Sequence, residues 1–144
     1  MKYSTKLSDA VHILILIHLN ADQNVSSKDI AKSVKTNPSY VRQLMSALKS
    51  AGILFNTRGV ARPSLTREPN QINLYDVYQA VEGDKLLLHL DTHTNPECGV
   101  GVNIQFALQD YYDEIQKSIN KELKKITLEM IIKGYYARID NQQD

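Results

Sequence analysis

The chain has 144 residues, 42% of them apolar and 23% charged, with a formal net charge of +1. That composition fits one ordinary globular domain and excludes disordered and fibrous classes. One cysteine excludes an internal disulfide framework and a multi-cysteine zinc site.

The longest apolar run, residues 10–19, holds His12 and His18 and covers about half a bilayer span. No apolar signal core ending in small residues opens the chain. The expectation is a soluble, cytoplasmic chain with no membrane partner. The charge is unevenly divided. Residues 1–72 carry ten lysines and arginines against four carboxylates, a net of +6, whereas residues 73–144 carry seven against twelve, a net of −5. Such a split suggests that one half faces a polyanion.

Residues 8–21 read as a helix apolar nearly all round, and so central to the core. Ser26 and Asp29 then form a capping box, with Val25 and Ile30 placed as a hydrophobic staple, which predicts a short helix over about 26–34. Asn37 caps the next helix and Pro38 takes its first position. This helix runs to Gly52, which suits a left-handed C-terminal cap. At 100° per residue Val41, Leu44, Met45 and Leu48 share one face, with Ser39, Arg42, Gln43, Ser46 and Ser50 opposite. Two short helices joined by a tight turn, the second with hydrogen-bonding side chains at its N-terminus, describe a helix-turn-helix.

Residues 53–56 and 62–67 read as strands around a tip at 57–61. Arg58 and Arg62 flank the tip and Arg67 ends the hairpin, which gives the basic wing that often follows a helix-turn-helix. Asn73 and Asp76 begin another capped helix, ending at Gly83. Residues 84–101 are irregular. Within them His89, Asp91 and His93 would share a strand face, with Cys98 as a fourth metal ligand, but Pro96 and the glycines oppose a regular strand. From about Val102 the helical period returns for roughly twenty residues, and a shorter helix follows at 127–139. The long stripe of Ile104, Leu108, Tyr111, Ile115 and Ile119 suits dimerisation.

Taken together, SSKDIAKSVKTNPSYVRQLMSALKSAGIL, INLYDVYQAVEG and NPECGVGVNIQFAL resemble the Rrf2 family of bacterial winged-helix transcription regulators, in its YwnA-like branch without the iron–sulfur cluster. The resemblance runs over about residues 1–135. It implies a homodimer with one winged helix-turn-helix per subunit, a long C-terminal helix crossing to the partner, and a signal sensed in the loop before that helix. Ser39, Tyr40 and Gln43 match positions that contact DNA in relatives, and Arg42 stands where some cluster-bearing members have Glu. Arg58-Gly59 matches the start of the wing. Cys98 matches the central cysteine of the family's C-x5-C-x5-C cluster motif, but Thr92 and Ile104 occupy the flanking positions. No cluster, metal or other cofactor is expected.

The expected fold is mainly α with a small β wing: residues 1–83 form a winged helix-turn-helix DNA-binding domain, 84–101 a sensor loop and 102–144 dimerisation helices. The expected function is a homodimeric regulator, a repressor, bound to a palindromic operator in double-stranded DNA. Ser39, Arg42 and Gln43 face base edges. Ser27, Lys28, Tyr40 and Lys49, with Arg58 and Arg62 of the wing, suit phosphates. Cys98 is the candidate redox sensor. Two alternatives are a winged-helix protein-interaction module and a regulator answering to a small ligand or metal. An enzyme using Cys98 as nucleophile with His89 or His93 as base lacks any oxyanion-hole motif, so no catalytic residue is assigned.

Overall fold

The computed structural model describes residues 3–56 and 62–142. Helix α1 (Lys6–Leu19) is the central element, with Ala10, Ile13, Leu14 and Ile17 buried. Helices α2 (Ser27–Val34), α3 (Pro38–Ser50) and α4 (Leu74–Glu82) pack around it. His12 lies on the rim, its Nε2 2.8 Å from Ser33 Oγ on α2.

Local chemistry accounts for the ends of these helices. At α2 the Ser26 hydroxyl accepts from the Asp29 N–H, and the Asp29 carboxylate accepts from the Ser26 N–H. The Ser26 N–H foremost, and then the Ser26 hydroxyl, which donates to the same carboxylate oxygen at 2.9 Å, hold the Asp29 carboxyl below the usual carboxylate range. Helix α2 stops at Lys35, which turns left-handed with φ 63°. Asn37 Oδ1 accepts from the Tyr40 N–H at 2.8 Å to start α3. Its inner face buries Val41, Leu44, Met45 and Leu48. At the other end Gly52 has φ 76°, its N–H donates to the Lys49 carbonyl, and the N–H of buried Ile53 donates to the Leu48 carbonyl. This paired arrangement closes the helix and directs the chain into the hairpin.

Strands β1 (Leu54–Asn56) and β2 (Pro63–Leu65) pair antiparallel, Leu54 opposite Leu65 and Asn56 opposite Pro63. Both are shorter than the sequence suggests, although a Thr66 N–H to Ile53 carbonyl bond extends the pairing. The hairpin tip, with Arg58, lies outside the described residues. A 3-10 turn (Pro69–Gln71) that the sequence reading did not foresee leads to α4, where Asn73 and Asp76 complete a second reciprocal cap.

Helix α5 (Gly99–Lys125) begins three residues earlier than the apolar period indicates, because Cys98 caps it. None of its 27 residues is buried. Before it, the irregular segment is held along α5 by two glutamines: the Leu87 N–H donates to Gln116 Oε1 and the Asp91 N–H to Gln105 Oε1. Helix α6 (Leu128–Gln142) returns to pack on α1 and on the 3-10 turn, and Leu128 joins the core. The α5–α6 junction is joined to the start of α4 by backbone bonds, Leu74 N–H to the Ile126 carbonyl at 2.8 Å and Leu128 N–H to the Ile72 carbonyl at 2.9 Å.

Candidate nucleic-acid interface

With its apolar face buried, α3 turns Ser39, Arg42, Gln43, Ser46 and Lys49 outward, all of them exposed. Ser27 and Lys28 open α2 beside it. Arg42 Nη1 donates to Ser27 Oγ at 3.3 Å, so the two helices share a polar link on their outer side. An open groove between α2, α3 and the base of the hairpin is lined by Ser27, Arg42, Ser46, Lys49 and Asn56, with Val25, Met45 and Pro63 as apolar members.

Arg62, at the foot of the hairpin, is exposed, and its Nε donates to Asn24 Oδ1 at 2.9 Å. The Lys49 ammonium lies 3.0 Å from the Asn56 side-chain amide, whose oxygen accepts in the orientation that satisfies both amide ends. Thus Arg42 and Lys49 line this groove, and Arg62 stands at its edge, next in the chain to the lining Pro63 and bonded to Asn24, the neighbour of the lining Val25. Asn24 and Asn56 complete their hydrogen bonding, and neither carries a local sequence signal, because each meets its cation through the tertiary fold.

Tyr40 is not part of this outward face. Its ring packs against the core and its hydroxyl donates to Asp9 on α1. Arg67 is likewise turned into the fold, pairing with Asp76 at 3.2 Å and donating through Nε to the Gln71 carbonyl.

Cys98 is exposed, and its Sγ accepts from the Gly101 N–H at 3.5 Å. In the same segment the His93 N–H donates to Asp91 Oδ1. Among the described residues, no three His, Cys, Asp or Glu side chains gather as a metal site would require. No helix of the described residues is long and apolar enough to cross a membrane.

A helix pair whose second member exposes a polar, basic face, followed by an antiparallel hairpin, defines a winged helix-turn-helix DNA-binding regulator. The chain belongs to the Rrf2 family, described as iron-dependent transcriptional regulators, whose pattern matches residues 3–134. It is 39% identical over 129 residues to the HTH-type transcriptional regulator YwnA of Bacillus subtilis, covering 90% of this chain and 96% of that one. A crystal structure described as a DNA-binding protein superposes with a TM-score of 0.73 at 38% identity, over 88% of this chain and 98% of the other. CymR, the global cysteine regulator of B. subtilis, gives a TM-score of 0.64 at 26% identity, over 91% and 95%. The protein is therefore a DNA-binding transcription regulator and not an enzyme.

The iron in the family's description has no matching donor set here. A cysteine-held cluster needs several thiolates, whereas this chain has Cys98 alone, with Thr92 and Ile104 where the flanking cysteines would stand.

Proposed function

We propose that the chain is a homodimeric repressor, working in the cytoplasm, that reads a palindromic operator and answers to oxidation of Cys98. The observation that carries the DNA reading is the outward face of α3, exposed and polar, with Arg42 and Lys49 in one groove and Arg62 at its edge. In this arrangement α3 enters the major groove. Arg42 suits the two acceptors of guanine, Gln43 the acceptor and donor of adenine, and Ser39 either. Lys28, Lys49, Arg62, Arg58 of the wing and the Ser27 hydroxyl meet phosphates. Tyr40 serves by anchoring α3 to α1.

Helix α5 supplies the argument for a dimer. Val100, Ile104, Tyr111 and Ile115 are 68%, 51%, 66% and 43% exposed along one face of it. An apolar surface this long on a regulator is an interaction site, and the same helix of a second copy covers it with two-fold symmetry. Two α3 helices then sit about 34–36 Å apart, one turn of DNA. A dimer seated on a promoter excludes other proteins from it, which makes repression the direct outcome. Residues 1–83 serve as the DNA-binding unit and 84–101 as the sensor loop. Within 102–144, α5 carries the pairing while α6 supports the winged core.

The test is binding to a labelled duplex that the wild-type protein selects from a random-sequence library. Affinity falls with salt by a log–log slope of about −0.9 per phosphate neutralised. Arg42→Ala relaxes preference at one position per half-site, at about 1–3 kcal/mol per subunit. A uniform loss across all sequences would instead make Arg42 a phosphate contact, and salt-insensitive binding would overturn the DNA interface described here.

A further inference from the structure

Arg42 and Lys49 in the groove and Arg62 at its edge share a property that the ion-paired cations of the fold do not. Arg42 rests on the Ser27 hydroxyl, Arg62 on the Asn24 amide oxygen and Lys49 on the Asn56 amide. All three acceptors are neutral. Among the described residues, the lysines and arginines that pair with carboxylates are Arg67, Lys125 and Lys133, with Asp76, Glu122 and Glu129, and none of these lines the groove.

The distinction matters physically. A carboxylate would hold a long cationic side chain in place but cancel its charge toward an approaching polyanion. A neutral acceptor removes part of the side chain's rotational freedom before binding and leaves the full positive charge available. Long-range attraction to DNA depends on the uncancelled charge, and the cost of ordering each side chain is met before the complex forms.

Resting on the DNA-binding reading above, we infer that Asn24 and Asn56 are positioning residues for DNA binding: they hold Arg62 and Lys49 toward the DNA backbone without neutralising them, while Ser27 holds Arg42, also un-neutralised, toward the base edges. Neither asparagine needs to touch DNA. Both are exposed, so substitution leaves the core intact.

Binding of the selected duplex is measured across a salt series for Asn24→Ala, Asn24→Asp, Asn56→Ala, Asn56→Asp, Arg62→Ala and the Asn24→Ala/Arg62→Ala pair. Each alanine variant weakens binding by roughly two- to tenfold, the span of one net hydrogen bond, with the salt slope unchanged. Each aspartate variant keeps its cation pinned but makes the slope shallower by about 0.9 per subunit, since one cation is cancelled. Asn24→Ala costs nothing further once Arg62 is alanine. The inference is overturned if Asn24→Ala and Asn56→Ala bind as wild type does. It is also overturned if the Asn24→Ala loss persists without Arg62, which would make Asn24 a direct DNA contact, or if the aspartate variants keep the wild-type slope. Wild-type protein that selects no duplex at all removes the DNA-binding reading itself, and this inference with it; the other outcomes leave that reading standing.

Discussion

The Tyr40 hydroxyl donates to Asp9 Oδ2 at 2.9 Å, joining the first turn of α3 to the first turn of α1. Thr5 Oγ1 donates to the same carboxylate oxygen at 3.2 Å, which fixes it from the other side. The helix proposed to face DNA is therefore tied at its leading end to the central helix of the fold. Burial, with the Asp9 bond and charge added, pushes the Tyr40 phenol up to about 12.

That shift gives Tyr40 a stability signature in alkali. The folded chain holds the phenolic proton more tightly than the unfolded chain, so the contribution is whole below pH 10 and disappears as pH rises toward about 12. Denaturant unfolding of wild type and Tyr40→Phe checks it: the stability difference between them shrinks across that window. A difference that stays flat would mean that the hydroxyl's protonation does not contribute.

Lys35 offers a second test, of backbone strain. Its φ of 63° and ψ of 54° place a residue with a Cβ in the left-handed region, at a cost of about 1–2 kcal/mol. Lys35→Gly relieves most of that but adds freedom to the unfolded chain, for a net gain of about 0.5–1 kcal/mol. Thermal unfolding measures it, and a loss of stability would show that the lysine side chain contributes more than its backbone costs.

The dimer face is tested by one charge. Ile104→Asp places a carboxylate on an exposed position of α5, so the fold survives while two like charges oppose each other across the proposed two-fold. Sedimentation shows a monomer with undiminished helical circular dichroism. A variant that remains dimeric puts the interface elsewhere.

Oxidation is tested through the single thiol. With one cysteine per chain, no intrachain disulfide can form, which leaves a sulfenic acid, a small-thiol adduct or a bridge between subunits. A bridge requires Cα atoms within about 7 Å. DNA binding before and after hypochlorite is compared for wild type and Cys98→Ser. Equal responses remove Cys98 as sensor and leave a small ligand as the signal.

The parts of this fold that were legible in the sequence are those made by neighbours in the chain. The Ser26/Asp29 and Asn73/Asp76 boxes, Pro38 at a first helical position and Gly52 at a helix end each act within a few residues, so spacing alone reveals them. The inward set on α3 follows from helical period. The start of α5 is hidden in the sequence because Gly99 and Gly101 weaken the helical signal, while the Cys98 cap outweighs them. What escaped were contacts between distant segments: Asn24 with Arg62, Asp9 with Tyr40, and the return of Leu128 to the core. Tyr40 shows the difference clearly. On a helical wheel it flanks the outward face, but the position of α1 decides which way its hydroxyl points.

The two backbone bonds that join Ile126 and Leu128 to the start of α4 act as a hinge pin for α5. Twenty-seven residues at 1.5 Å per residue make an arm of about 40 Å from that pin to the Cys98 end. Tilting the arm by about 5° swings its far end by about 3.5 Å, while groups beside the pin shift by only tenths of an ångström. Displacements at the cysteine end would therefore reach the winged core as small rotations, geared down about tenfold. Such gearing suits a change in the angle between the two halves of the proposed dimer better than a rearrangement within either half.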